Sequence, residues 1–147
     1  MRASQETIDM LNDYYKGIEA NDPDRYGKYY ADDMTLVFAN APQSVGREAA
    51  VTAFSGILDL VQSLRHDLVN AWEEDGGVVI YEVVGTWTLC DGTEIKVNAA
   101  NVATVTELRR QERVETGQVQ TQFPHHPKAY QALQILQPAA EVPNDDA

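Results

Sequence analysis

The sequence predicts an α+β domain in which a curved antiparallel sheet, cone-shaped overall, wraps on three N-terminal helices. Three observations carry this expectation. Apolar residues recur at helical spacing through most of the first sixty positions. From Ser63 onward the period changes to two. Asp75-Gly76-Gly77 and Asp91-Gly92 then punctuate the strands as tight hairpin turns. Helices first and a meander after them make a deep apolar pocket between the two layers.

Each element has a local reason. Ser4 is placed to cap a helix whose dipole Glu6 complements, and Ile8, Leu11, Tyr15 and Ile18 share one face of it up to about Asn21. Asp22-Pro23 restarts the chain as N-cap and first helical residue, giving a short aromatic helix through Tyr26, Tyr29 and Tyr30. Asp32-Asp33 breaks it, and Met34 to Phe38 reads as a strand. After a loop from Asn40 to Ser44, Gly46 opens a third helix with the stripe Ala50, Phe54, Ile57, Leu58 and Val61. Alternation then places Leu64, His66, Leu68, Asn70 and Trp72 on one face of a strand, with Arg65, Asp67 and Val69 on the other. The next strand points Val79, Tyr81, Val83, Gly85, Trp87 and Leu89 one way and Ile80, Glu82, Val84 and Thr86 the other. Ile95, Val97, Ala99, Asn101, Ala103 and Val105 share a face of the third long strand. Beyond it, Glu115-Thr116-Gly117 is a turn signal into a short strand from Gln118 to Phe123, and Ala129 to Leu136 can make a short helix.

Composition bounds the function. At 147 residues the chain is expected to hold one domain over 1–136, with 137–147 an unstructured acidic tail. A chain of this size buries roughly 70% of its unfolded surface, so neither disulfides nor a metal is needed for folding. The net charge of −12 repels phosphates and anionic lipid, which argues against nucleic-acid and membrane partners. Cys90 is the single cysteine and no signal-peptide pattern opens the chain, so a cytoplasmic location is expected. His125-His126, adjacent between prolines, lacks metal-ligand spacing, and neither a metal nor any other cofactor is expected.

Several phrases resemble the nuclear transport factor 2-like superfamily, and within it the SnoaL-like branch. They are Tyr14-Tyr15-Lys16-Gly17-Ile18-Glu19-Ala20-Asn21-Asp22, Tyr29-Tyr30-Ala31-Asp32-Asp33-Met34-Thr35, Gly46-Arg47-Glu48-Ala49, Leu64-Arg65-His66-Asp67 and Asp91-Gly92. The resemblance spans about residues 5–105, and 105–136 is atypical of it. It implies the cone-shaped fold, also called cystatin-like, and a membership that includes steroid isomerases, polyketide cyclases, dehydratases, epoxide hydrolases and non-catalytic proteins. By this resemblance Tyr14 falls where the steroid isomerases hydrogen-bond a developing enolate, and Asn101 near their second donor. Their general base, however, falls on Phe38, which cannot accept a proton. The Arg-x-Asp of the epoxide hydrolases is missing from Tyr81-Glu82-Val83-Val84-Gly85, and Gln122 to Pro127 lacks the Arg and Asp that end the last strand in many SnoaL-like members.

Those comparisons leave His66 as the leading general acid/base, on an apolar strand face and with a pKa ordinarily near neutrality. Tyr14 and Asn101 are the oxyanion donors, each a polar group that needs a partner in apolar surroundings. Tyr30, Phe38, Phe54, Trp72 and Trp87 form an aromatic enclosure for a hydrophobic substrate, the competing reading being plain core. Asp67 and Glu82 are further acid/base candidates, although Asp67 points away from His66 and Glu82 is expected on the outer sheet face. The expected function is a cofactor-independent isomerase, cyclase or dehydratase of natural product biosynthesis, acting on a polyketide- or terpenoid-like carbonyl compound. The alternative is a non-catalytic ligand-binding or assembly module. A homodimer through the outer sheet face is expected in either case.

Overall fold

In a computed structural model, residues 1–38, 42–105 and 115–122 are described, the last segment as backbone. The expected helix at 129–136, the histidine pair and the acidic tail lie outside those residues. Helix α1 runs Gln5–Glu19, and the Ser4 hydroxyl accepts from the Thr7 amide as its cap. Its buried positions are Thr7, Leu11, Tyr14, Tyr15, Gly17 and Ile18. Asn21, in the left-handed region at φ 48°, turns the chain into α2, Pro23–Gly27, capped by Asp22 as its sequence requires. This helix stops at Gly27, so Tyr29 and Tyr30 occupy the turn after it.

The two helices approach closely because Gly17 has no side chain: a Cβ there would lie 2.9 Å from the Tyr26 amide nitrogen. Strand β1, Thr35–Leu36, pairs antiparallel with β2, Ser44–Val45, a shorter strand than the expected 34–38. Helix α3, Arg47–Leu58, follows and buries Ala50, Phe54 and Leu58. Val61 belongs to the next strand rather than to the helical stripe. Arg47 ties this helix to the Asp-Asp segment, donating from Nε to the Tyr30 carbonyl at 2.8 Å and pairing with Asp32 at 3.0 Å.

The main sheet is a four-stranded antiparallel meander in the order β3–β4–β5–β6, with β3 Val61–Glu74, β4 Val78–Leu89, β5 Glu94–Thr104 and β6 Glu115–Gln122. β6 begins at Glu115, where the sequence reads as a turn, because residues 115 and 116 already pair with Thr104 and Ala103. The alternation expected for β4 and β5 holds. That of β3 does not. Leu68 pairs with Val83 and Asn70 with Glu82, so Val69 is an extra residue, a β-bulge. Beyond it the faces exchange: Leu64, His66 and Leu68 point toward the helices, and so do Ala71 and Glu73, whereas Asn70 and Trp72 turn to the outer face. Glu73 then reaches the start of α1, accepting from the Ser4 and Thr7 hydroxyls.

Candidate functional site

Between α1 and the concave sheet face lies a pocket lined by Tyr14, Tyr15 and Ile18 of α1, Leu64 and His66 of β3, and Tyr81 to Trp87 on the inner face of β4. Val97, Ala99 and Asn101 of β5 close its far side, while Leu36, Phe38 and Phe54 complete the rim. Phe38 and Phe54 meet edge to face at 5.8 Å. The free volume is about 60 Å³. That admits a few water-sized groups, and is well below the roughly 300–1,000 Å³ of pockets that enclose a drug-sized ligand. A larger guest therefore requires side chains of the lining to move.

His66 stands on the pocket wall with 10% of its side chain exposed. Its ring lies 4.2 Å from that of Tyr15, tilted 31°. Gly85 is its cross-strand partner, and a Cβ there would come within 2.8 Å of Trp87 Nε1 and 3.7 Å of His66 Cδ2. The missing side chain is what lets the imidazole and the indole share this wall. Burial favours the neutral imidazole and pushes the His66 pKa down to about 4, against a smaller opposing effect of the Asp67 carboxylate. Its Nδ1 is buried and forms no hydrogen bond among the described residues.

Asn101 is 4% exposed, and its Nδ2 likewise has no hydrogen-bond partner among the described residues. A buried amide nitrogen without an acceptor costs on the order of 1–3 kcal/mol, and from the pocket wall this one can donate to a guest. The Tyr14 hydroxyl shares a 2.8 Å hydrogen bond with that of Tyr30. Two hydroxyls have two protons and one bond uses one of them. With Tyr30 as donor, Tyr14 keeps its own proton for the pocket. Burial raises the Tyr14 pKa far above the ordinary phenol value, and Tyr81 is pushed up to about 12 by the same cause, so these hydroxyls donate and do not ionise.

The structure thus brings His66, Tyr14, Asn101, Phe38, Phe54 and Trp87 together and leaves four expected residues out. Tyr30 is fully buried behind Tyr14 and reaches the pocket only through that hydroxyl pair. Trp72 is on the outer face because the bulge at Val69 reverses its direction. Asp67 is turned outward to Arg65 at 2.8 Å, and Glu82 accepts from Asn70 Nδ2 at 2.9 Å on the outer face. Glu19, Tyr15 and Tyr81 do not stand out as site residues in the sequence. Glu19 ends α1, accepts the backbone N–H of His66, and holds Oε1 3.5 Å from Nδ1. Its spacing of four from Tyr15 puts both on one helix face, which is the only local signal available. Among the described residues no group of three His, Cys, Asp or Glu side chains could hold a metal, and no helix is long and apolar enough to cross a membrane.

Comparison with known proteins agrees with this architecture. The family model described as SnoaL-like domain matches residues 11–114. An epoxide hydrolase/cyclase-like enzyme, SalBIII, described in pyran-ring formation in the polyether salinomycin, is similar at 17% identity and a TM-score of 0.68, over 83% of this chain and 95% of its own. A protein with a ketosteroid isomerase-like fold from Catenulispora acidiphila, solved with trimethylamine, aligns at 18% identity and 0.66, over 91% and 97%. A candidate SnoaL-like polyketide cyclase from Shewanella denitrificans aligns at 10% identity and 0.68, over 90% and 97%. Identities this low establish a shared fold. No curated protein matches the sequence.

Proposed function

The chain belongs to the SnoaL-like domain family, and from that premise we propose that it is a cofactor-independent acid/base enzyme of the isomerase, cyclase or dehydratase type. Its substrate is a hydrophobic, carbonyl-bearing molecule of polyketide or terpenoid character whose carbonyl end enters the pocket. One observation supports this above the others: a buried imidazole held neutral and an amide donor without a partner among the described residues line the same apolar cavity. His66 takes a proton from carbon next to the carbonyl, and the electron pair moves onto the carbonyl oxygen. Asn101 Nδ2 and the Tyr14 hydroxyl donate to that oxygen as its charge grows, each such donor contributing roughly 2.7–4 kcal/mol. The imidazolium then returns the proton to carbon or to a leaving hydroxyl, so no external acid or oxidant is required. The likeness to a salinomycin ring-forming enzyme and to a candidate polyketide cyclase favours substrates of this class.

The test does not depend on the identity of the natural substrate. Exchange of protons next to the carbonyl for deuterium, followed by NMR over a panel of hydrophobic ketones, should be accelerated by the protein. His66→Ala should lose about 10²–10⁴ of that acceleration. Undiminished exchange in a folded His66→Ala protein would refute the role of His66. The second reading, a non-catalytic assembly module, is favoured by the cavity of about 60 Å³, which is small for an enclosed ligand. It predicts no exchange and no retained ligand. In either case we expect a homodimer in which the outer sheet face, with Trp72, Ile80 and the exposed Val69 and Val102, packs on its copy, and sedimentation equilibrium tests this.

A further inference from the structure

We propose that Glu19 is the positioning residue of this site: its carboxylate holds His66 in the Nδ1–H tautomer and leaves Nε2 to exchange protons with the substrate. The assignment of Nε2 to the substrate rests on the functional reading above, but the tautomer does not. The carboxylate is fixed at its task by a backbone hydrogen bond. Glu19 Oε1 accepts the His66 backbone N–H, a contact between residues 47 apart in sequence that pins the end of α1 to the middle of β3. The same oxygen lies 3.5 Å from Nδ1. That separation is too long for a formed hydrogen bond, and a few tenths of an ångström of movement in a long, partly exposed side chain closes it.

An ionised carboxylate only accepts hydrogen bonds. If Nδ1 carried a lone pair, two acceptors would face each other in a buried place, so the tautomer with hydrogen on Nδ1 is selected. Tyr15 covers the ring at 4.2 Å and resists its turning away. When His66 takes a proton, Glu19 faces the resulting cation and offsets the burial that otherwise opposes it. Tyr14 and Tyr15 of α1 and Tyr81 of β4 stay neutral and Asn101 of β5 carries no charge, while Asp67 of β3, whose carboxylate also raises the His66 pKa, lies on the opposite face paired with Arg65 and cannot reach Nδ1.

Nitrogen-15 NMR of the full chain with labelled histidine tests the assignment, and His66→Asn identifies the His66 signals among the three histidines. At pH above 7 the Nδ1 resonance should be that of a protonated ring nitrogen and Nε2 that of an unprotonated one. Glu19→Gln retains an acceptor for the backbone N–H but removes the charge. Its His66 midpoint should fall by about one pH unit, a tenfold weaker proton affinity. Glu19→Asp, which keeps the charge but retracts it, should fall by less. A dominant Nε2–H tautomer in the intact protein, or one midpoint common to all three proteins, would overturn the proposal, and the first readout stands even if a variant does not fold. A purely structural Glu19 would leave the midpoint where it is. Failure of the deuterium-exchange test with the tautomer as stated would remove the catalytic reading alone. Exchange that proceeds with a midpoint indifferent to Glu19 would remove this proposal alone.

Discussion

Helix α1 has two neighbours and meets them in opposite ways. Along the seam with α2, the polar groups around Asp13 are partnered. Asp13 accepts from the Arg25 guanidinium, from Lys28 Nζ at 2.9 Å and from the Tyr29 hydroxyl at 2.6 Å, and Arg25, Tyr29 and Lys28 together hold its pKa far below the usual carboxylate range. Along the pocket, the same helix faces an imidazole Nδ1 and an amide Nδ2 with no hydrogen-bond partner among the described residues. The first arrangement is what stability alone produces. The second leaves the Asn101 amide open to a guest, while Nδ1 faces the Glu19 carboxylate. Lack of a partner does not by itself mark a site, since Thr86 Oγ1 on the outer sheet face is also buried without one among the described residues.

Acid separates the two regions most strongly. The folded protein holds His66 near pKa 4, against 6.5 for an ordinary histidine. Between those values the unfolded chain binds a proton that the folded one refuses, so stability is whole above about pH 6.5 and declines toward pH 4. The loss is at most about 3 kcal/mol at 1.36 kcal/mol per pH unit. His66→Gln should flatten that interval in a urea-denaturation series across pH. Asp13 has the same sign in a lower window. Its contribution is present above the unfolded carboxylate pKa of 3.8 and is lost as pH falls further. The seam should therefore outlast the pocket on acidification, and equal windows for the two would erase the contrast.

Asp13→Ala should cost about 1–2 kcal/mol by thermal unfolding, the effect being held down by water because its side chain is a third exposed. Most of that loss should disappear in 1 M salt. Asn101→Leu is expected to act in the opposite direction, raising stability by about 1 kcal/mol as the donor without a partner is replaced by an apolar group of similar size. It should at the same time lower the ketone deuterium-exchange rate. A destabilised Asn101→Leu protein would mean that the amide is already satisfied and belongs with the scaffold.

Much of the architecture is legible in the sequence because its signals are local. Ser4 caps where a serine before an apolar period should, Asp22-Pro23 restarts the helix, and the glycines of both hairpins stand at positive φ, Gly77 at 78° and Gly92 at 80°. The misplacements share one cause, which is dependence on a distant partner. Simple alternation assigns Trp72 to the pocket, and the extra residue at Val69 becomes visible only against the register of β4. Glu19 looks like an ordinary polar residue at the end of a helix until β3 comes to lie beside it. His66 and Asn101 can be found because a polar residue on an apolar strand face is itself a local anomaly.

The bulge at Val69 makes β3 serve two masters. Its first half supplies the imidazole to the cavity, and its second half sends Glu73 to the start of α1. Drawing that residue into the ladder as an ordinary paired position would carry plain alternation past Leu68, delivering the indole of Trp72 inward and the Glu73 carboxylate outward in one stroke, whereas deleting it would leave both where they are. A slip of one residue in the register at this point is therefore a far graver lesion than any exchange of side chain.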